Sequence, residues 1–175
     1  QGYQVRLQIA ADYTKMDTVT TLDPVKYPAL PAVLVETSHN ILSQIKVADA
    51  PAGGISVAGN HNTVTDVTFD GVAGPGSATL VDIQGSHNLL NAISLRNLTG
   101  QSNRLVFIRG TGNHISSLSI ENTATQAQDF VSLGGTNNSI EGLTIDGVAT
   151  TISSGANLLQ FDGSSCRVSG MLVTT

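Results

Sequence analysis

Apolar residues along this chain recur in a fixed phrase rather than in a helical stripe. Anchored on an asparagine, the phrase reads N-x-φ-x-x-φ-x-φ, with φ apolar. Asn40 leads to Leu42, Ile45 and Val47, and Asn62 to Val64, Val67 and Phe69. Asn88 leads to Leu90, Ile93 and Leu95; Asn113 to Ile115, Leu118 and Ile120; Asn138 to Ile140, Leu143 and Ile145. A last copy replaces the anchor with Cys166 and continues with Val168, Met171 and Val173. Upstream of each anchor stands a second unit, φ-x-φ before a short turn: Val33/Val35, Ile55/Val57, Val81/Ile83, Val106/Ile108, Val131/Leu133 and Leu159/Phe161. A further position, ten residues past the anchor, holds Val72, Leu98, Thr123 and Val148. Successive anchors are 22 to 28 residues apart.

This spacing predicts an all-β chain, a right-handed single-stranded parallel β-helix (solenoid) of about six coils. Alternate residues of an extended strand face the same side, so φ-x-φ sends two side chains inward. The x-x break marks a bend or bulge. A repeat near 25 residues with short strands suits a solenoid coil, whereas a propeller blade needs about 40 residues and four strands. Coils about 4.8 Å apart stack like side chain on like, and each buried aliphatic contributes roughly 1.5–3 kcal/mol. No coil buries its own face, so the stack is stable only as a set. The anchors Asn40, Asn62, Asn88, Asn113 and Asn138 sit in tight turns such as Gly59-Asn60-His61-Asn62. They are expected to adopt left-handed backbone angles and to form a structural asparagine ladder.

Residues 1–31 are read as not carrying the phrase. Tyr3, Val5, Leu7 and Ile9 alternate like one strand, and Pro24, Pro28 and Pro31 punctuate the stretch before the first coil. The expected division is an N-terminal strand and Pro-rich lead-in or cap over residues 1–31, then the β-helix over residues 32–175. Because the chain starts at Gln1 rather than Met, it is expected to be a piece of a longer product.

Composition narrows the function classes. Charged residues make up 12% of the 175, the net charge is −5, and there is no Trp. Eight scattered basic residues give no phosphate-binding patch, so no nucleic-acid partner is expected. No run of 18 apolar residues occurs, and no membrane span is predicted. The single cysteine, Cys166, permits no internal disulfide and reads as a small filler. No cofactor is indicated.

The phrase G-x-x-N-x-φ-x-x-φ-x-φ over residues 33–175 resembles the repeats of pectate-lyase-like parallel β-helix proteins. With low charge, few aromatics and Ser/Thr/Asn-rich outward positions, the chain looks most like the β-helical part of a bacteriophage tailspike or tail appendage. That resemblance implies a homotrimer that binds host-surface polysaccharide, located on the virion tail or otherwise extracellular or at a cell surface. Many such proteins also cleave the glycan. Pectate lyases use a calcium-binding Asp cluster, which is not found here. Two other classes stay open: a polysaccharide depolymerase acting as hydrolase or lyase, and a structural virion decoration or bacterial adhesin solenoid. Short coils without wall-forming insertions favour a non-enzymatic segment.

Three outward files carry the candidate chemistry. Eight residues past the anchor the file reads Asp70, Arg96, Glu121, Asp146. Glu121 and Asp146 on adjacent coils are admissible as the carboxylate pair of a glycosidase, with Arg96 on a sugar carboxylate; alternatively the file is an exposed charge ladder in which Arg96 neutralises its neighbours. On the upstream strands Asp82, Gln84, Phe107 and Arg109 face outward, a surface on which a sugar ring stacks or a second protomer packs. Exposure of Leu34 beside Phe107 would require cover. The third file, His39, His61 and His87, presents imidazoles of the kind that bind metals. No carboxylate or cysteine joins them, so it is read as a polar turn face and no metal site is assigned.

Overall fold

In the computed structural model, residues 7–22, 31–48, 54–72, 79–100, 104–124, 129–147 and 157–174 are described. Tyr3, Val5, Pro24, Pro28 and Val148 lie outside the described residues. The described residues form two parallel sheets, and each coil contributes one strand to each. The first sheet contains short strands: β1 (Leu7–Ile9), β3 (Val33–Val35), β5 (Ile55–Val57), β7 (Val81–Ile83), β9 (Val106–Ile108), β11 (Asp129–Leu133) and β13 (Asn157–Phe161). The second contains longer ones: β2 (Lys15–Leu22), β4 (Ile41–Ala48), β6 (Thr63–Asp70), β8 (Leu89–Arg96), β10 (His114–Glu121), β12 (Ser139–Asp146) and β14 (Arg167–Val173). Strand order follows coil order in both sheets. The fold is therefore a parallel β-solenoid, with the outermost strands paired on one side only.

Register follows the phrase. Val67, Ile93, Leu118 and Leu143 pair in line across β6, β8, β10 and β12, and none is more than 1% exposed. The x-x break is a corner: its second residue has positive φ in each coil, at Thr18, Gln44, Asp66, Ala92, Ser117, Gly142 and Gly170. That left-handed residue advances the strand without consuming an inward position, so the interval between core residues is three across the corner and two after it.

The lead-in segment supplies the first strand of each sheet. Lys15, Met16 and Asp17 pair with Ile41, Leu42 and Ser43, and Leu7 and Ile9 with Val33 and Val35. Thr14 occupies the anchor position: its N–H donates to Asn40 Oδ1 at 2.8 Å.

The asparagine ladder is present, with one correction to its backbone. The left-handed residue is not the anchor but the one before it: His39, His61, His87, Gly112, Asn137 and Ser165, with Tyr13 in the first coil. The turn at that residue lets the anchor side chain point inward. Each anchor Oδ1 accepts the backbone N–H of the anchor one coil earlier, at 2.8 to 2.9 Å from Asn40 to Asn138. Asn113 Nδ2 donates to Gly85 O and Arg109 O, and Asn138 Nδ2 to Gly134 O. All five anchors are buried. At Cys166 the ladder loses its amide; the thiol contacts Gly134 O at 3.7 Å.

Leu34 is a second correction. Although it alternates outward, it is buried within the single chain, so it gives no reason for a second protomer to cover it.

Candidate functional site

On the outer face of the first sheet, Asp82, Phe107 and Ser132 stand in one file across β7, β9 and β11. Alternation along each short strand puts these central residues outward while their neighbours enter the core. Phe107 is half-buried and carries two guanidinium groups over its ring, those of Arg104 at 4.6 Å and Arg109 at 4.8 Å from the centroid. Each cation is tied down by a carboxylate. Arg109 Nη2 donates to both oxygens of Asp82, at 3.0 and 2.7 Å, and Arg104 Nε donates to Asp129 Oδ2 at 3.1 Å. Gln84 Nε2 adds a bond to Asp82, and Asn157 Nδ2 one to Asp129. Cation–π contact of this kind stabilises by about 0.5–2 kcal/mol, more as the site is desolvated.

The geometry leaves this cluster with donors to spare. Arg109 is 45% exposed in its side chain and spends only Nη2 on Asp82; among the described residues its other nitrogens have no partner. Guanidinium N–H groups held over an aromatic ring suit a ligand bearing a carboxylate, which the guanidinium fork recognises. Three of the sequence-derived carbohydrate candidates, Asp82, Phe107 and Arg109, therefore meet. Arg96 does not join them, because it ends β8 in the other sheet. Arg104 and Asp129 were not foreseen: Arg104 lies before its strand and Asp129 opens the longer β11, at positions the repeat does not mark.

The second sheet carries the charge file in the expected order. Asp70, Arg96, Glu121 and Asp146 are register neighbours at the ends of β6, β8, β10 and β12. Arg96 turns to Asp70 at 3.0 Å, and Asp146 accepts from Thr174 Oγ1. Glu121 and Asp146 sit on adjacent strands, spaced by about 4.8 Å at the backbone. The Asp70 carboxyl is held below its ordinary pKa, first by the hydrogen bond from Asn97 Nδ2 at 2.7 Å and then by Arg96. A depressed folded-state pKa contributes stability above the ordinary carboxylate range, lost as pH falls through the lowered value. Asp70→Asn is accordingly expected to flatten the acid decline of the melting temperature below about pH 4, read from thermal melts at stepped pH.

The histidine file is a stack. Tyr13, His39, His61 and His87 lie face to face, with centroids 5.0, 5.2 and 5.0 Å apart and planes within 13°. Two nitrogens on one zinc ion each sit about 2.0–2.1 Å from it, closer together than rings stacked at this pitch bring theirs. Among the described residues no group of three or more His, Cys, Asp or Glu is arranged to hold a metal ion. Tyr13 was missed because Thr14 replaces the anchor asparagine; its place 26 residues before His39 was the available signal.

Comparison with family models, with curated proteins and with solved structures returns no match, and so function is read from the solenoid and its surface files alone.

Proposed function

We propose that this chain is a segment of a tailspike-like receptor-binding protein that contacts host-surface polysaccharide as part of a homotrimer, on a virion tail or a cell surface. The observation that carries the reading is Phe107 beneath Arg104 and Arg109, with Asp82 and Asp129 holding the cations. A rigid solenoid face with an aromatic, cationic patch is built to receive a sugar without moving. Trimer formation is supported by the resemblance; light scattering at micromolar concentration tests it, and a monomer mass removes it.

Binding is tested with an array of capsular and O-antigen polysaccharides, followed by calorimetry on the strongest ligand. Phe107→Ala and Arg109→Ala are each expected to weaken that ligand at least about tenfold, the equivalent of roughly 1.4 kcal/mol. No binding by the parent protein across the array would favour the purely structural solenoid.

The register pairing of Glu121 with Asp146 favours a second reading, a polysaccharide hydrolase using this pair as acid and nucleophile or base. Release of reducing ends that disappears in Glu121→Gln would establish it, and an unchanged rate in that variant would remove the pair.

A further inference from the structure

The stacked rings stand on a different part of the coil from Phe107. They occupy the turn between the two sheets, each ring one coil above the last. All four residues hold φ between 55° and 61°, a left-handed region that few non-glycine residues occupy, although His, like Asn and Asp, is enriched there. Other coils place Gly112, Asn137 and Ser165 there, so the fold does not require an aromatic ring. Four consecutive rings in a strained position make a continuous feature, and their residues are exposed, Tyr13 to 78%. Beyond His87 the stack ends on Gly112, where an added Cβ would meet the imidazole at 3.1 Å.

Two files flank the rings. On one side run Asp12, Ser38, Asn60, Ser86 and Thr111, chained coil to coil by side-chain bonds to backbone N–H groups. On the other, Lys15, Ile41, Thr63, Leu89 and His114 stand in register, with Ile41 and Leu89 exposed at 47% and 43%. The stripe thus combines imidazole edges, hydroxyl and amide groups, and aliphatic surface, all repeating at one coil. That repeat is close to the length of one pyranose residue.

We propose that the Tyr13–His39–His61–His87 stripe binds a linear acidic polysaccharide lying along the solenoid axis, and binds it more tightly as the imidazoles take up protons. The ligand class rests on the polysaccharide reading above; the site and its regulation do not. An imidazolium offers two N–H donors to a carboxylate. Three imidazoliums in a stack repel one another, and a polyanion with one carboxylate per sugar relieves that repulsion along its length. Protonation and binding therefore favour each other, reciprocally, and successive contacts act multivalently. The charged and titratable groups in the flanking files are Asp12, whose carboxylate accepts from the Ser38 N–H, Lys15, paired with Asp17, and His114, bonded to Ser139; Arg167 continues the second file at its far end. None places an anion between the rings.

The test is calorimetric titration with polygalacturonate, and with a neutral linear glucan, at about pH 5.5 and about pH 8, a range in which histidine ordinarily changes charge. The polyuronate is expected to bind at least about tenfold more tightly at the lower pH, and the neutral glucan equally at both. Replacing all three histidines by phenylalanine keeps the stack but removes the protons, and is expected to abolish the pH effect. The triple asparagine variant, a residue the fold already accepts at position 137, removes the rings and should lose the same effect. Equal affinity at both pH values, no polyuronate binding at either, or a pH effect that survives in the phenylalanine variant would overturn the proposal. Phe107→Ala separates the two sites: if it abolishes binding while the stripe variants leave affinity and pH dependence untouched, the cluster stands and the stripe falls; the opposite result retains the stripe alone.

Discussion

Gly85→Ala is expected to cost at least about 3 kcal/mol of stability, measured as the shift of a chemical denaturation midpoint at constant m-value. The glycine of the G-x-x-N phrase sits where successive coils approach most closely. A Cβ on Gly85 would lie 1.9 Å from Gly59 O; on Gly59, 1.8 Å from Thr37 O; on Gly135, 2.0 Å from Gly110 O. These are backbone atoms, and Gly59 O and Gly110 O are held by coil-to-coil hydrogen bonds, so no side chain can swing away to make room. Relief requires the coils to separate, which loosens the ladder bonds on both sides. Gly134 supplies the contrast. Its Cβ would meet Ile108 O and the Phe107 ring at 3.5 Å, ordinary contact, and Gly134→Ala is expected to change stability by less than about 1 kcal/mol. Similar losses in both variants would mean that coil contact is not what demands glycine.

Asn113→Ala carries the second large effect, about 4 kcal/mol by the same measurement. The Asn113 amide accepts from Asn88 N–H at 2.9 Å and from Asn88 Nδ2 at 3.1 Å, and donates to Gly85 O at 2.8 Å and Arg109 O at 2.7 Å. Alanine removes all four bonds. Asn88 Nδ2 keeps Gly59 O and Arg109 O keeps Asn138 Nδ2, but the Asn88 N–H and Gly85 O are stranded in a buried turn, where each unsatisfied group costs roughly 1–3 kcal/mol. Partial rescue comes from water reaching the emptied space, so the loss falls below the sum. A loss under about 1 kcal/mol would show that the turns hold without their ladder.

How much of this was readable beforehand differs from residue to residue. The core files of Val67, Ile93, Leu118 and Leu143 were legible because burial and spacing are the same fact: a period-two strand must send those positions inward. The x-x corner was legible as a break, and its left-handed residue arises from the geometry of a strand that turns without losing its inner face. Leu34 was misread because alternation predicts which way a side chain points, not what covers it. The assignment of left-handed angles to the asparagines failed for a related reason: composition says a turn needs such a residue, but only the direction of the anchor side chain decides that His61, and not Asn62, adopts it.

The candidate sites divide along the same line. Asp82, Phe107 and Arg109 were found together because register alone brings them onto neighbouring coils. Arg104 and Asp129 entered only with the tertiary structure, since they lie outside the repeated positions and Arg104 spans to both the Phe107 ring and Asp129 through its long side chain. The Tyr13 ring needed the fold for a different reason. Its coil carries Thr14 where five others carry asparagine, and pairing of β2 with β4 reveals the shared period that the anchor does not.

Periodic spacing was enough to establish a parallel stack of coils, its inward files and the order of residues up each outer face, because a one-dimensional repeat folded into a solenoid maps sequence interval directly onto height. Which neighbours on those faces clasp one another was settled only by three-dimensional packing. Arg96 chooses Asp70 over Glu121, and three imidazoles stack beneath a tyrosine, through side-chain reach and ring orientation that no interval encodes.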